Sequence, residues 1–374
     1  MIPEIEYNKL KKLSNTDILN SLLDMSELFH TLSNQEKNEF CVQFLQLKIL
    51  LDTRLARYRI KTNRCRYTSF YVFHSEGNCD LREIIYGVNE NHISEIAKKL
   101  LSNIHEISQH YIHTFGKILH LLTDIDDTLF PHRSSTHKFF GEDSKGVNKQ
   151  PYPGVIQFMK EFRKQHHKYI SVNENKYKIC NYITVLSATP NLKKESRFFD
   201  GVLRQIIGKD YSFLQGAESY GEIRESLSLL KRSLNNKIVG SKKFSRFKEY
   251  IRIFPEYQYI FLGDNGQGDY LTGKQIVKYA NDTLVFIHNI QLGDSLKLSP
   301  SKVASKTKQR LKFFENYKGL SNLFYEANLL KKHNIENINN NIFSHKHKYS
   351  TIKQNRGKTR KYMRRKIQKK TKKL

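Results

Sequence analysis

Three short runs of the chain hold the residue types that nucleophilic and acid–base chemistry needs. The first is Thr123-Asp124-Ile125-Asp126-Asp127-Thr128-Leu129. Two carboxylates two residues apart project to the same side only where the backbone stays extended. So arranged, one can attack an electrophile such as phosphorus while the other protonates the leaving oxygen. Like charges this close need a counter-cation, and Mg²⁺ on oxygen ligands is the expected one. The second run is Leu186-Ser187-Ala188-Thr189-Pro190. At a strand tip its hydroxyl and backbone N–H groups suit a phosphoryl oxygen; taken alone it is an ordinary Ser/Thr turn before proline. The third, Gly263-Asp264-Asn265-Gly266-Gln267-Gly268-Asp269, sets two more carboxylates among glycines that permit a tight turn. It lacks the G-x-G-x-x-G order of a dinucleotide loop. Lys242 and Lys243 stand ahead of a helical pattern at Phe244, Phe247, Tyr250 and Ile251. The N-terminal end of such a helix can aim an ammonium at phosphate, although in a chain this basic a single lysine is more often a solvated surface charge.

These runs do chemistry together only if the fold brings them to one edge. Lys117 to Leu122, Tyr182 to Leu186, Tyr257 to Leu262 and Leu284 to Ile287 are short apolar stretches that read as buried strands. A helical stretch follows Pro153-Gly154, with Val155, Phe158, Met159 and Phe162 on one face. Apolar strands alternating with helices predict an α/β fold, a parallel sheet with helices on both faces. Ligands in such sheets sit at the carboxyl ends of the strands, where all three acidic or hydroxyl-bearing runs begin.

The N-terminal third reads as helical. Ile18, Leu22, Met25 and Leu28 follow Thr16 and Asp17 at helical spacing, and Ser33 to Glu36 forms a capping box before Phe40, Phe44, Leu47 and Leu51. Ile93, Ile96, Leu100, Ile104, Ile107 and Tyr111 define one face of a longer helix, read as core packing. Between these lie a β-like stretch at Tyr67 to His74 and turn residues Gly77 and Asn78. The expected organisation is a mostly helical region over 1–116 and the sheet domain over 117–295. A helical or irregular extension with a charged helical region at Lys306 to Leu330 follows over 296–345, and a basic disordered tail over 346–374.

The order of the pieces (strand then DxDxT, strand then Ser, Lys, strand then GD-x₄-D) resembles the haloacid-dehalogenase phosphatase superfamily, and within it the catalytic domain of a type of phosphatidate phosphatase. Tyr152-Pro153-Gly154-Val155 before a helix and Phe254-Pro255 before the third strand add to the likeness, which covers roughly Ile118 to Ile290. The resemblance implies a Rossmann-like, haloacid-dehalogenase-like parallel sheet and Mg²⁺-dependent hydrolysis of a phosphomonoester, phosphatidate to diacylglycerol, through an aspartyl-phosphate. Under it Asp124 is the nucleophile, and Asp126 protonates the leaving group and then activates water. Thr128 orients Asp126, Ser187 binds a phosphoryl oxygen, and Lys243, with Lys242 as the alternative, contacts the phosphate. Asp124, Asp126, Asp264 and Asp269 form the metal cluster. Three departures stand out: Asn265 where serine is usual, Ala188-Thr189 where Asn-Ser is, and His288-Asn289 where Arg-Asp is. The last bears on how substrate is held.

Charge narrows the partners. The chain of 374 residues has a formal net charge of +28, and the segment from Thr351 to Leu374 holds twelve Lys and Arg and no acid. Such a field favours polyanions: phosphorylated substrates, an anionic membrane face, or nucleic acid. The alternatives to a lipid phosphatase are therefore the same chemistry on a nucleic-acid end or nucleotide, and a non-catalytic polyanion-binding protein on a phosphatase scaffold. The tail also suits nuclear targeting or solubility. Cys41, Cys65, Cys79 and Cys180 lack paired spacings and read as reduced thiols; Cys65, His74 and Cys79 lack a fourth ligand for zinc. With no apolar signal core and no run approaching the ~20 residues of a spanning helix, the expectation is a cytoplasmic protein, peripheral at membranes or nuclear.

Overall fold

The computed structural model describes residues 3–61, 81–87, 93–131, 151–179, 183–187, 204–208, 211–215, 232–265, 268–290 and 309–342. The β-like stretch at Tyr67 to His74, the Cys65/His74/Cys79 group and the basic tail lie outside them. Helices α1 (Pro3–Leu10), α2 (Asn15–Leu28), α3 (Asn34–Lys61), α4 (Leu81–Tyr86) and α5 (Glu95–Phe115) come first. The starts of α2, α3 and α5 are fixed by short polar side chains that satisfy otherwise orphaned N–H groups. The N–H of Asp17 donates to Ser14 Oγ at 3.2 Å, and that of Ala97 to Ser94 Oγ at 3.1 Å. At α3 the expected capping box is complete: Glu36 N–H reaches Ser33 Oγ, and Ser33 N–H returns to Glu36 Oε2 at 2.9 Å.

Among the described residues, eight strands follow the helical region. β1 (Ile118–Thr123), β4 (Ile183–Ser187), β5 (Tyr211–Gln215), β6 (Tyr257–Asp264), β7 (Leu284–His288) and β8 (Leu311–Phe314) make one sheet in the order β5-β4-β1-β6-β7-β8, with every pair parallel. β2 (Lys168–Val172) and β3 (Asn175–Ile179) form a separate antiparallel hairpin. The four anticipated strands are present, shifted at their ends by a residue or two. β5, β8 and the hairpin were not anticipated. The charged region from Lys306 is not one helix: Leu311 to Phe314 extends the sheet, and only then does a helix (Tyr317–Glu326) begin. Alternation across four residues, with Leu311 joining the core on one face and Phe314 on the other, is too short to stand out among lysines.

The sheet is covered on both faces because its strands are apolar on both. Leu122, Tyr259, Phe261, Val285 and Ile287 point into a core shared with α2, α3 and α5, with α7 (Arg232–Ile253) and with α8 (Asp269–Tyr279). Leu121, Ile260, Leu262 and Phe286, one residue out of step, point into the other core with α6 (Val155–Gln165) and α9 (Tyr317–Glu326). Period-two alternation thus divides each strand between two cores. No described helix is long and apolar enough to cross a membrane.

Buried polar groups tie the N-terminal helices to the sheet. Lys48 Nζ, 1% exposed, donates to Glu256 Oε1 at 2.7 Å and to the Ile253 carbonyl at 2.8 Å. A second chain runs from Asp52 Oδ2 to the Tyr250 hydroxyl (2.8 Å), Thr184 Oγ1 (2.9 Å) and His120 Nε2 (2.9 Å). Removing one partner of a buried ion pair costs about 3–5 kcal/mol, so Lys48 and Glu256 fix how α3 meets the turn before β6.

Complete burial pulls the pKa of His120 from 6.5 down to about 3. The unfolded chain therefore binds a proton below pH 6.5 that the folded chain refuses, and stability is lost as pH falls from 6.5 towards 3. From this group alone the slope reaches about 1.4 kcal/mol per pH unit. In urea unfolding between pH 6.5 and 5 the wild type should lose stability relative to His120→Gln, and the difference between the two chains removes the opposite contribution of buried acids common to both. The same pH dependence in both chains would mean that His120 is not held neutral in the core.

Candidate active site

The acidic runs meet at the carboxyl edge of the sheet. Asp124 directly follows β1, and its N–H donates to the Leu262 carbonyl at 2.9 Å, which prolongs the extended chain by one residue. Ile125 is buried in the core beneath, so Asp124 and Asp126 emerge together on the side away from it. The chain then reverses. Asp127 has φ +55°, its N–H donates to the Phe130 carbonyl at 2.8 Å, and the Leu129 N–H returns to the Ile125 carbonyl at 2.8 Å. Asp124, Asp126, Asp127 and Thr128 are all buried.

β6, next to β1, ends in Asp264, and α8 begins at Asp269 after Gly268 in the left-handed conformation. The Asp264 N–H donates to Asp269 Oδ2 at 3.3 Å. Gly263 permits this approach, since a Cβ there would stand 2.7 Å from Asp269 Cβ. Oxygens of Asp124, Asp264 and Asp269 all lie within 4.8 Å of one another, and all three residues are buried.

Lys243 completes the cluster. Its Nζ, fully buried, donates to Asp124 Oδ1 at 2.9 Å and to Asp269 Oδ1. The sequence pattern put this lysine ahead of a helix. The helix is in fact longer, Arg232–Ile253, so Lys243 lies near its middle and no helix N-terminus directs the ammonium. The stretch before Phe244 has no apolar stripe and contains Gly240, which hid the earlier turns. What directs Lys243 is a close helix crossing. A Cβ on Gly240 would stand 2.8 Å from the Gly268 carbonyl, and Thr272 Oγ1 donates to the Gly240 carbonyl at 3.1 Å. Three residues on, Lys243 faces the same way and reaches the carboxylates.

Charge and burial act against each other here. Burial first, then the neighbouring Asp269 and Asp126 carboxylates, push the pKa of Asp124 well above 3.8, while Lys243 opposes the rise. Burial likewise lifts Asp269 to about 7 against the pull of Lys243. For Lys243 burial favours the neutral amine, but Asp124 and Asp269 outweigh it and the group stays an ammonium. Beyond the lysine, Asp124 Oδ2 is buried without a hydrogen-bonding partner. Three hard oxygen donors, with one such atom among them, fit a cation; this cluster can hold a metal ion.

Of the anticipated site residues, Asp124, Lys243, Asp264 and Asp269 converge directly. Asp126 is buried near enough to raise Asp124, though it is not one of the three oxygens within 4.8 Å. Ser187 ends β4, which pairs with β1, and so stands at the same edge; Ala188-Thr189-Pro190 and Gly266-Gln267 lie outside the described residues. Thr128 Oγ1 is buried and makes no hydrogen bond, so its orienting contact to Asp126 is not formed; its carbonyl accepts from the Tyr317 hydroxyl at 2.9 Å. Sequence reasoning missed Gly240, Thr272 and Tyr317. None of the three left a signal of its own: Gly240 stands ahead of the apolar stripe that marks the helix, and the partners of Thr272 and Tyr317 are distant in sequence.

The crossing yields a decision between two magnitudes. Ala in place of Gly inside a helix gains about 1 kcal/mol of propensity. The new Cβ at 2.8 Å from a backbone carbonyl must instead displace α7 or α8, and such overpacking costs about 1–3 kcal/mol. Gly240→Ala should therefore lower the urea midpoint, and a raised midpoint would show that the crossing is loose.

Comparison of the chain with protein-family models, with curated proteins and with solved structures finds no match to any of the three.

Proposed function

We propose that the chain is a Mg²⁺-dependent phosphatase with a haloacid-dehalogenase-like sheet, acting on a phosphomonoester through an aspartyl-phosphate on Asp124. The observation that carries this reading is the buried contact of Lys243 with Asp124 at 2.9 Å, inside a cluster of three carboxylates at the carboxyl edge of a parallel sheet. A structural ion pair needs one carboxylate per ammonium. The surplus of buried acid at a ligand-binding edge is what a phosphoryl group and a cation together would use.

In this reading the Asp124 carboxylate attacks phosphorus, the bond from phosphorus to the ester oxygen breaks, and Asp126 gives its proton to that oxygen to release the alcohol. Water then attacks the phosphoryl group and loses a proton to Asp126. The bond from phosphorus to Asp124 breaks, which returns the carboxylate and frees inorganic phosphate. Lys243 holds a positive charge beside the phosphoryl oxygens as negative charge gathers on them, and it costs no reorganisation because it is already fixed. Asp124 and Asp264, with Asp269 behind them, would hold Mg²⁺, which when bound supplies Lewis-acid charge to the phosphoryl oxygens and favours the ionised form of Asp124.

Phosphatidate is the proposed substrate, supported by the motif likeness and by the basic charge. Each Lys or Arg near an anionic bilayer is worth ~1 kcal/mol, so the twelve after Thr351 suffice to concentrate the protein there. The same charges attract nucleic acid, which keeps phosphorylated oligonucleotide ends as the second reading.

Purified protein with Mg²⁺ should release phosphate from phosphatidate vesicles, and Asp124→Asn should lower that release by at least about 10³-fold while the fold persists. Chelation should stop turnover and added Mg²⁺ restore it. Release only from 3′- or 5′-phosphorylated oligonucleotides would transfer the mechanism to that substrate; activity of Asp124→Asn near wild type would sink the nucleophile. Truncation after Thr351 should weaken binding to phosphatidate vesicles yet spare turnover of a small soluble ester.

A further inference from the structure

The turn that follows Asp126 is held from outside by two side chains that have no part in the chemistry above. His288 ends β7 and is 3% exposed. Its ring stacks on Phe314, with centroids 4.8 Å apart and planes at 13°, and meets Tyr152 edge-on at 4.7 Å. In that vice the ring cannot turn, and Nδ1 lies 2.7 Å from the Asp127 carbonyl oxygen. Nε2 lies 3.3 Å from the Glu315 carbonyl. A carbonyl only accepts, and the shorter contact places the proton of the neutral ring on Nδ1, which donates. One residue further on, the Tyr317 hydroxyl, also buried, donates to the Thr128 carbonyl at 2.9 Å. Two consecutive carbonyls directly after Asp126 are thus pinned by donors from β7 and α9.

The turn needs such pinning. Asp127 occupies the left-handed region at φ +55°, an uncommon conformation for a residue with a side chain, which persists when its surroundings over-determine it. If the turn relaxes, the direction in which Asp126 leaves the backbone changes with it. We propose that His288 and Tyr317 are positioning residues: through the Asp127 and Thr128 carbonyls they hold Asp126 where it can protonate a leaving oxygen. Tyr317 lies beyond the segment that resembles known phosphatases, so the extension after β7 is a working part of the site. The inference rests on the phosphatase reading and assigns that site two further residues.

General acid catalysis matters in proportion to how poorly the leaving group departs unaided. An alkyl phosphate needs the proton and 2,4-dinitrophenyl phosphate does not. The value of kcat/KM for the two esters, which excludes hydrolysis of the aspartyl-phosphate, separates misplacement of Asp126 from general damage. His288→Phe keeps the ring stack and removes the donor; kcat/KM on the alkyl ester should fall about 10–100-fold, and on the dinitrophenyl ester about ten times less. His288→Asn loses the stack but keeps a donor at the Nδ1 position, and should recover the alkyl ester despite a lower Tm. Tyr317→Phe, which removes one hydroxyl, should show the same dependence on leaving group and stands in if His288→Phe does not fold. Equal losses on both esters, or His288→Phe outperforming His288→Asn on the alkyl ester, would overturn the proposal and leave a packing role. A wild-type enzyme inactive on both esters would fail earlier, at the phosphatase reading itself.

Discussion

Three carboxylates cannot be buried within 4.8 Å of one another unless something positive is buried with them, and in this protein that is the ammonium of Lys243. Much of the architecture follows from that requirement. The ammonium must come from outside the sheet edge, so a helix has to cross close to the strand ends. The crossing needs Gly240 facing the Gly268 carbonyl, and the approach of Asp269 to β6 needs Gly263. Burial strengthens each ionic contact and penalises each charge at the same time, which leaves Asp124 and Asp269 with raised pKa values despite the lysine. A site poised in this way responds strongly to any further positive charge brought into it.

The parts of the fold that follow from local rules were legible in the chain. Strands β1, β4, β6 and β7 are continuous apolar runs because both faces are covered, and the residues at their ends mark the acidic cluster in the sequence itself. The capping box at Ser33 and Glu36 has a fixed spacing and was found where the spacing put it. The hairpin was not seen: its turn, Asn173-Glu174, has both residues at positive φ, and glutamate is a poor marker of such a turn. β8 is four residues long among lysines. Gly240 in α7 is required by the helix that crosses it at contact distance, a tertiary cause without a local pattern. Tyr317 belongs to the same class, since its partner is a carbonyl 189 residues away in sequence.

The helical layer at the N-terminus is joined to the sheet by polar contacts as well as by apolar ones. Lys48 reaches Glu256 just before β6, and Asp52 is linked through Tyr250 and Thr184 to His120, four residues upstream of Asp124. Buried polar networks of this kind specify one arrangement among several that apolar packing alone would tolerate. The strands carrying Asp124 and Asp264 therefore have a fixed height relative to the helices behind them, and the carboxylates meet at one level.

The strand order has a consequence for how the molecule comes into being. β1 sits between β4 and β6, and its partner residues in β6 lie roughly 140 positions later in the chain, so the loop that must close is long and the contact is late. As synthesis proceeds from the N-terminus, α1 to α5 can collapse early on their own local contacts. β1 emerges next and waits, apolar on both faces and open along the edge where β6 belongs. The strand that bears Asp124 is thus the one most exposed to wrong pairing before the chain is complete, and the early helical layer offers one of its faces a place to rest.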